Sequence, residues 1–156
     1  MSGETVHGTC VTFGDIAILL RGESGAGKSD LALRLIELGA MLVADDRVSM
    51  ARDGDRVIVA PPSRLSGLLE LRGVGILRLP HAAAARLGLV VDLVSSSAPE
   101  RLPQVAWCEY LGVRVRLMSL APFEASAAAK LRIAAHAVAG RIDPGTGAAL
   151  ERRDED

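Results

Sequence analysis

The chain has 156 residues, of which 49% are hydrophobic and only 3% aromatic, and its formal net charge is −1 at pH 7. This length predicts one compact domain with a core of Leu, Val, Ile and Ala. The near-neutral charge and the absence of a Lys/Arg run argue against nucleic-acid binding, and no apolar run is long enough to span a membrane. Cys10 and Cys108 lack metal-binding or redox spacing and are expected to be free thiols. We therefore expect a cytoplasmic protein that binds neither nucleic acid nor membranes.

Hydrophobic periodicity and turn residues predict the elements in chain order. Strands and helices mix, which indicates the α/β or the α+β class, with residues 141–156 as a flexible tail after a domain of residues 1–140. The predicted elements are strands over residues 5–13, 15–21 and 41–44, a hairpin of residues 47–51 and 56–60, strands over 89–94 and 113–117, and helices over 29–38, 81–87 and 124–139.

The most informative motif is Gly22-Glu23-Ser24-Gly25-Ala26-Gly27-Lys28-Ser29, which matches the phosphate-binding loop pattern G-x-x-x-x-G-K-[ST] in full. Glycines let backbone N–H groups turn toward phosphate oxygens, the lysine places a positive charge near the β- and γ-phosphates, and the serine hydroxyl can ligate Mg²⁺. The motif lies between a predicted strand and a predicted helix, so the phosphates would meet a helix N-terminus. The sequence therefore predicts a site for a nucleoside triphosphate, most simply ATP, with Mg²⁺.

Asp45 and Asp46 follow directly after the predicted strand of residues 41–44. Two adjacent carboxylates at this point can divide the work of phosphoryl transfer, one near the metal and one accepting a hydroxyl proton. The alternative is that both residues only cap the following hairpin. The spacing alone leaves these two interpretations open.

Glu70 and His7 are two further candidates. Glu70 lies between Leu69 and Leu71 in an apolar run, where a buried carboxylate would need Mg²⁺ or Arg72 as a partner, although a solvent-facing position would need none. His7 precedes the strand that feeds the phosphate loop, and pairing between strands would return it toward the phosphates. As an isolated surface histidine it would have no role.

Taken together, four segments resemble the bacterial HPr kinase/phosphorylase family. They are Val6-His7-Gly8, the phosphate loop, Leu42-Val43-Ala44-Asp45-Asp46, and Leu69-Glu70-Leu71-Arg72-Gly73-Val74-Gly75-Ile76, the last being similar to the family signature. Longer members carry an additional N-terminal domain, so the chain is similar to the catalytic domain alone. The resemblance implies a mixed sheet with flanking helices, related to phosphoenolpyruvate carboxykinases.

The same resemblance implies transfer of phosphate from ATP to a serine of HPr, the phosphocarrier of the sugar phosphotransferase system, and reverse phosphorolysis of phosphoserine-HPr. By position, Asp46 would accept the serine proton, and Lys28 and His7 would hold phosphate oxygens. Ser29 and Glu70 would ligate Mg²⁺, and Arg101 would match an essential arginine. The resemblance also implies a homo-oligomer, a hexamer in the family.

One segment departs from the family pattern. Before its last helix the family has an Arg-Pro-Gly-Arg-Asn-like loop tied to dephosphorylation, whereas this chain reads Ala121-Pro122-Phe123-Glu124-Ala125-Ser126, without an arginine. We therefore expect weak phosphorolysis. Two other functions stay open at this point, a nonenzymatic nucleotide sensor and a small-molecule kinase.

Overall fold

The protein is described from a computed structural model, which covers residues 3–63, 66–95, 105–143 and 145. The strands are β1 (Gly3–His7), β2 (Thr9–Phe13), β3 (Ile16–Arg21), β4 (Met41–Ala44), β5 (Arg47–Asp53), β6 (Arg56–Ala60), β7 (Leu68–Leu71), β8 (Gly75–Arg78), β9 (Ala85–Leu93), β10 (Ala106–Tyr110) and β11 (Val113–Leu120). The helices are α1 (Lys28–Glu37) and α2 (Ala127–Val138). The fold is mixed α/β.

Within the described residues, nine strands form one mixed sheet. Its main path runs β1-β5-β6-β9-β3-β2-β4, and β11, with β10 beside it, pairs with β9. The central strand β9 is parallel to β3 and β11 but antiparallel to β6. Strands β7 and β8 form a separate hairpin.

Side chains of the central strands alternate between two apolar cores. Ile18 and Leu20 of β3 join the core that contains both helices, whereas Ala17 and Leu19 join a second core with β5 and β6. Because both helices share one core, they cover the same face of the sheet, and the other face is closed by strands curling over it. Neither helix in the described residues has the length and hydrophobicity that a membrane span needs.

Three strand ends meet at one edge of this sheet. Strand β2 is antiparallel to both β3 and β4, so that Thr9 lies opposite Leu20 and Cys10 lies opposite Ala44. The start of β2 is therefore adjacent to the points where the chain leaves β3 and β4. This convergence brings together the segments that carry the candidate site.

Most predicted elements are confirmed, and two differ. The predicted helix over residues 81–87 is wrong, because residues from Ala85 onward form β9, whose middle is buried on both faces of the sheet. The predicted strand of residues 5–13 is interrupted at Gly8, where a β-carbon would lie 2.9 Å from the Leu20 carbonyl oxygen. Local alanine content favours helix in the first case, but the place of β9 at the sheet centre overrides it.

The predicted tail begins at a residue that contacts the domain. Arg141 donates hydrogen bonds to the Phe13 carbonyl and to the Asp15 carboxylate, at 3.3 and 2.8 Å. Residues 144 and 146–156 lie outside the described part of the chain. The boundary at residue 140 stays a prediction.

Candidate active site

The phosphate loop connects β3 to α1, as the sequence predicts. Gly25 and Gly27 have φ angles of 86° and 100°, a left-handed conformation that glycine adopts without steric cost. The first helical hydrogen bond runs from the Leu31 N–H to the Gly27 carbonyl at 2.9 Å. The N–H groups of residues 28–30 therefore precede the helical hydrogen-bond ladder, and an anion in the loop would meet them together with the positive end of the helix dipole.

Lys28 extends back over the loop. Its ammonium group donates to the carbonyl oxygens of Gly22 at 2.6 Å and Glu23 at 3.0 Å. The positive charge is thus held beside the loop that would contain the phosphates. Phosphate oxygens would compete with these two neutral carbonyls for the ammonium, and charged acceptors form the stronger hydrogen bonds.

Asp45 is the side chain that joins the three converging segments. Its Oδ1 atom accepts hydrogen bonds from the Thr9 hydroxyl at 2.8 Å and from the Ser29 hydroxyl at 3.0 Å. Its Oδ2 atom accepts a longer hydrogen bond, 3.4 Å, from the Glu70 backbone N–H. A carboxylate with three donors is held in position, and it has less capacity to accept a proton from a substrate.

Asp46 has a different environment from its neighbour. Its side chain is exposed, and its carboxylate is not hydrogen-bonded to any residue that the structure describes. Its φ angle is 68°, a left-handed conformation that is uncommon outside glycine and is more often seen at functional positions. The two carboxylates are therefore distinct: Asp45 is anchored and Asp46 is free to contact a substrate.

His7 lies next to Asp46 at the end of β1. It pairs with Arg47 of β5, and the following Gly8 N–H donates to the Asp46 carbonyl at 3.1 Å. The strand that feeds the loop pairs with β2, whereas β1, which contains His7, pairs with β5. Gly8 packs against the end of β3. His7 is therefore an exposed residue whose backbone lies near the end of β3, where the loop begins.

Glu70 belongs to the β7–β8 hairpin, opposite Ile76. Its side chain is exposed, so the carboxylate is not the buried group that one interpretation required, but its backbone is hydrogen-bonded to Asp45. The described residues contain no group of three or more His, Cys, Asp or Glu side chains able to hold a metal ion. The oxygen donors of Ser29, Asp45 and Glu70 suit Mg²⁺, which typically takes one or two protein carboxylates and completes its shell with phosphates and water.

A groove of about 950 Å³ extends the site on the other side of the loop. One wall is the phosphate loop, and the opposite wall is the segment from Ala121 to Glu124 that departs from the family pattern. A β-carbon on Gly27 would lie 2.9 Å from the Phe123 ring, and 71% of the Phe123 surface is exposed. The sequence analysis did not predict this aromatic wall.

An ion pair at the base of this groove was also not predicted. Arg21 donates two hydrogen bonds to the Asp92 carboxylate, at 2.7 and 2.9 Å, and a third to the Tyr110 hydroxyl at 3.1 Å. The Asp92 hydrogen bonds hold the pKa of Arg21 above its usual range. The pair links the end of β3 to β9 directly before the phosphate loop. In the sequence, the one hint of this ion pair is that Arg21 stands immediately before the motif. Arg101 lies outside the described residues.

Comparison with known proteins agrees with this arrangement. Residues 1–131 match the model of the HPr serine kinase C-terminal domain. The chain belongs to this family. The curated HPr kinase/phosphorylase of Bordetella pertussis is 41% identical to this chain over 128 residues. That of Peptoclostridium acidaminophilum is 39% identical over 121 residues. These matches cover 74% and 75% of the chain but 42% and 39% of the relatives, so the chain spans about two fifths of their length.

A solved structure shows the same fold as this chain. The HPr(Ser) kinase/phosphatase from Coxiella burnetii superimposes with a TM-score of 0.69 at 24% identity, over 76% of this chain and 85% of that chain. The likeness to this structure concerns the fold, and the predicted family membership is confirmed by the match to the family model. The individual roles predicted for His7, Lys28, Ser29, Asp46 and Glu70 stay predictions, which the geometry above makes specific.

Proposed function

We propose that the chain is a protein-serine kinase domain that transfers the γ-phosphoryl group of ATP to a serine of an HPr-like phosphocarrier. The observation that carries this proposal is the contrast between two neighbouring carboxylates beside a phosphate loop, one anchored and one free. A nucleotide sensor needs the loop but has no use for a free carboxylate next to it. A kinase needs both.

Binding of ATP would use the loop and the start of α1. The N–H groups of residues 28–30 and the Lys28 ammonium would hold the phosphate oxygens. Because the Ser29 hydroxyl donates its proton to Asp45, its lone pairs remain available to a metal ion. Ser29 and Glu70 would hold Mg²⁺, which, when bound, neutralises charge on the β- and γ-phosphates.

Asp46 would then act as the general base. As the serine oxygen forms a bond to the γ-phosphorus, the bond between that phosphorus and the β,γ-bridging oxygen breaks, and ADP leaves with the electron pair. The serine proton passes to the Asp46 carboxylate, which makes no hydrogen bond with any described residue and is therefore available to accept it. His7, next in space to Asp46, would contact phosphate oxygens on the same side.

The direction of transfer depends on the groove wall from Ala121 to Glu124. Phosphorolysis requires inorganic phosphate, phosphoserine and metal to be held together, for which arginine forks are well suited. This wall instead presents Phe123 and the Glu124 carboxylate, which Lys130 pairs at 3.3 Å. We infer that the domain works mainly in the kinase direction.

Four further features belong to the same proposal: a domain of residues 1–140 with a flexible tail, a cytoplasmic location, a homo-oligomer that is hexameric by family resemblance, and kinship with phosphoenolpyruvate carboxykinases. The kinship is supported by the mixed sheet, since β3, which leads into the phosphate loop, is antiparallel to β2 and parallel to β9.

The proposal is tested by incubating the protein with γ-labelled ATP, Mg²⁺ and purified HPr, and mapping the labelled residue by mass spectrometry. Label on one serine of HPr, absent when that serine is replaced by alanine, supports it. ATP binding without transfer to HPr would favour the sensor, and label on a small-molecule acceptor instead would favour the small-molecule kinase.

A further inference from the structure

A second cavity, of about 370 Å³, lies at the opposite end of the sheet from the phosphate loop. Its lining includes residues 86–88 at the start of β9, where Arg86 pairs with Ile16 at the start of β3. The phosphate loop follows the other end of these strands, where Arg21 pairs with Asp92. Six residues of β9 separate the two ends, which is about 20 Å of extended chain.

The cavity carries an unusual charge for a protein with a net charge of −1. Its described lining contains four arginines and one acid, Asp55; the arginines are Arg56, Arg86, Arg114 and Arg116. The guanidinium groups of Arg56 and Arg86 make no hydrogen bond or ion pair with any residue that the structure describes. Arg56 and Arg86 therefore place two positive charges in the cavity wall without a described partner, and an anion bound there would interact favourably with both.

Trp107 gives the cavity a rigid aromatic wall. The guanidinium groups of Arg114 and Arg116 each lie 4.5 Å from its ring centroid, within the range of cation–π contacts. These contacts orient the two arginines beside the cavity. The indole N–H of Trp107 is shielded from solvent and makes no hydrogen bond with any residue that the structure describes.

We propose that this cavity binds a small molecule that carries at least two oxyanion groups, either phosphates or carboxylates. Guanidinium groups recognise both kinds of group through paired hydrogen bonds, and the cavity volume suits a small metabolite. Arg56 and Arg86 would supply the principal contacts. The site is separate from the phosphate loop and does not depend on the kinase proposal.

The chain offers a direct probe of this site, because Trp107 is its only tryptophan. We would titrate pyrophosphate and, separately, citrate into the Lys28→Ala variant, whose phosphate loop lacks its ammonium, and follow the fluorescence of Trp107 at constant ionic strength. A saturable change is expected with at least one of the two anions. Response to pyrophosphate alone identifies phosphates, and response to citrate alone identifies carboxylates.

Arginine variants in the same background separate the site from general charge effects. Arg56→Gln and Arg86→Gln should each weaken binding roughly tenfold, the scale of one lost charged hydrogen bond. Arg132→Gln is the matched control, because Arg132 is exposed on α2 and does not line the cavity. Thermal unfolding checks that each variant is folded.

Three results would overturn the proposal. The first is no saturable change with either anion, and the second is equal weakening by Arg56→Gln and Arg132→Gln. The third is a fluorescence change that follows protein concentration instead of anion concentration, because it would show that a second copy of the chain covers the cavity.

Discussion

Asp45 should be energetically coupled to Thr9. The Thr9 hydroxyl is fully buried, and its hydrogen bond to Asp45 is 2.8 Å long. Asp45→Ala removes the acceptor of this hydrogen bond and of the hydrogen bonds that the Ser29 hydroxyl and the Glu70 N–H donate. We therefore expect the free energy of unfolding to fall by about 2–4 kcal/mol. This range combines the loss of hydrogen bonds to a charged group with the cost of leaving the buried Thr9 hydroxyl without an acceptor.

A double-mutant cycle measures the interaction energy between Thr9 and Asp45. Thr9→Val alone should cost about 1–2 kcal/mol, and in the Asp45→Ala background it should cost little, because the hydroxyl it removes has already lost its partner. The expected coupling energy is therefore about 1–2 kcal/mol. Urea unfolding in EDTA measures all four proteins without metal.

Thr12 is the matched control for this cycle. It is a buried threonine on the same strand, but its hydroxyl donates to the Gly14 carbonyl at 2.8 Å and does not contact Asp45. Thr12→Val and Asp45→Ala should add to within about 0.5 kcal/mol. If Thr9→Val and Asp45→Ala are equally additive, then Asp45 does not hold the start of β2, and the assignment of the anchored carboxylate is wrong.

Three other predictions concern the reaction. Lys28→Ala should abolish both the rise in melting temperature with ATP–Mg²⁺ and phosphotransfer, because it removes the loop's own positive charge; an unchanged melting shift would place the nucleotide elsewhere. Glu70→Gln should raise the Mg²⁺ concentration needed for half-maximal rate, since Mg²⁺ prefers charged oxygens. Glu109→Gln, at an exposed position of β10, is the control and should not change it. If the Mg²⁺ titrations of Glu70→Gln and the unaltered protein superimpose, Glu70 does not belong to the site. When the protein is given phosphoserine-HPr and phosphate without ATP, pyrophosphate should form much more slowly than phosphate is transferred in the kinase reaction. The reason is that Glu124 in the groove wall stands where the family pattern has arginine. Comparable rates would show that the altered sequence of residues 121–126 does not impair phosphorolysis.

The sequence predicts the parts of the site that depend on local chemistry. The glycines, Lys28 and Ser29 of the phosphate loop must follow a strand and open a helix, and β3 and α1 confirm this arrangement. The sequence also points to Asp45 and Asp46, but its spacing leaves open whether the pair divides two roles in phosphoryl transfer or only caps the hairpin. Local pattern did not show which of the two is anchored, because that depends on Thr9, which is 36 residues away in the chain.

The parts that were missed depend on contacts between distant segments. Strand β10 was not predicted; it contains Trp107 and Cys108 and is held mainly by its pairing with β11. Local pattern predicts a helix over residues 81–87 because alanine favours helices, and a strand over 89–94. Pairing with β3, β6 and β11 instead extends one central strand back to Ala85. The aromatic wall of the groove was missed for the same reason, since Phe123 meets Gly27 across nearly a hundred residues.

The central claim is that Asp46 accepts the proton of the substrate serine. The most direct test is the single-turnover rate of phosphate transfer to HPr by Asp46→Asn at saturating ATP and Mg²⁺. Because asparagine keeps the shape and tolerates the left-handed backbone but cannot take up the proton, we expect a rate roughly 10²–10⁴-fold lower, with ATP affinity nearly unchanged. A transfer rate within a few-fold of the unaltered protein would contradict the assignment of Asp46 as the base.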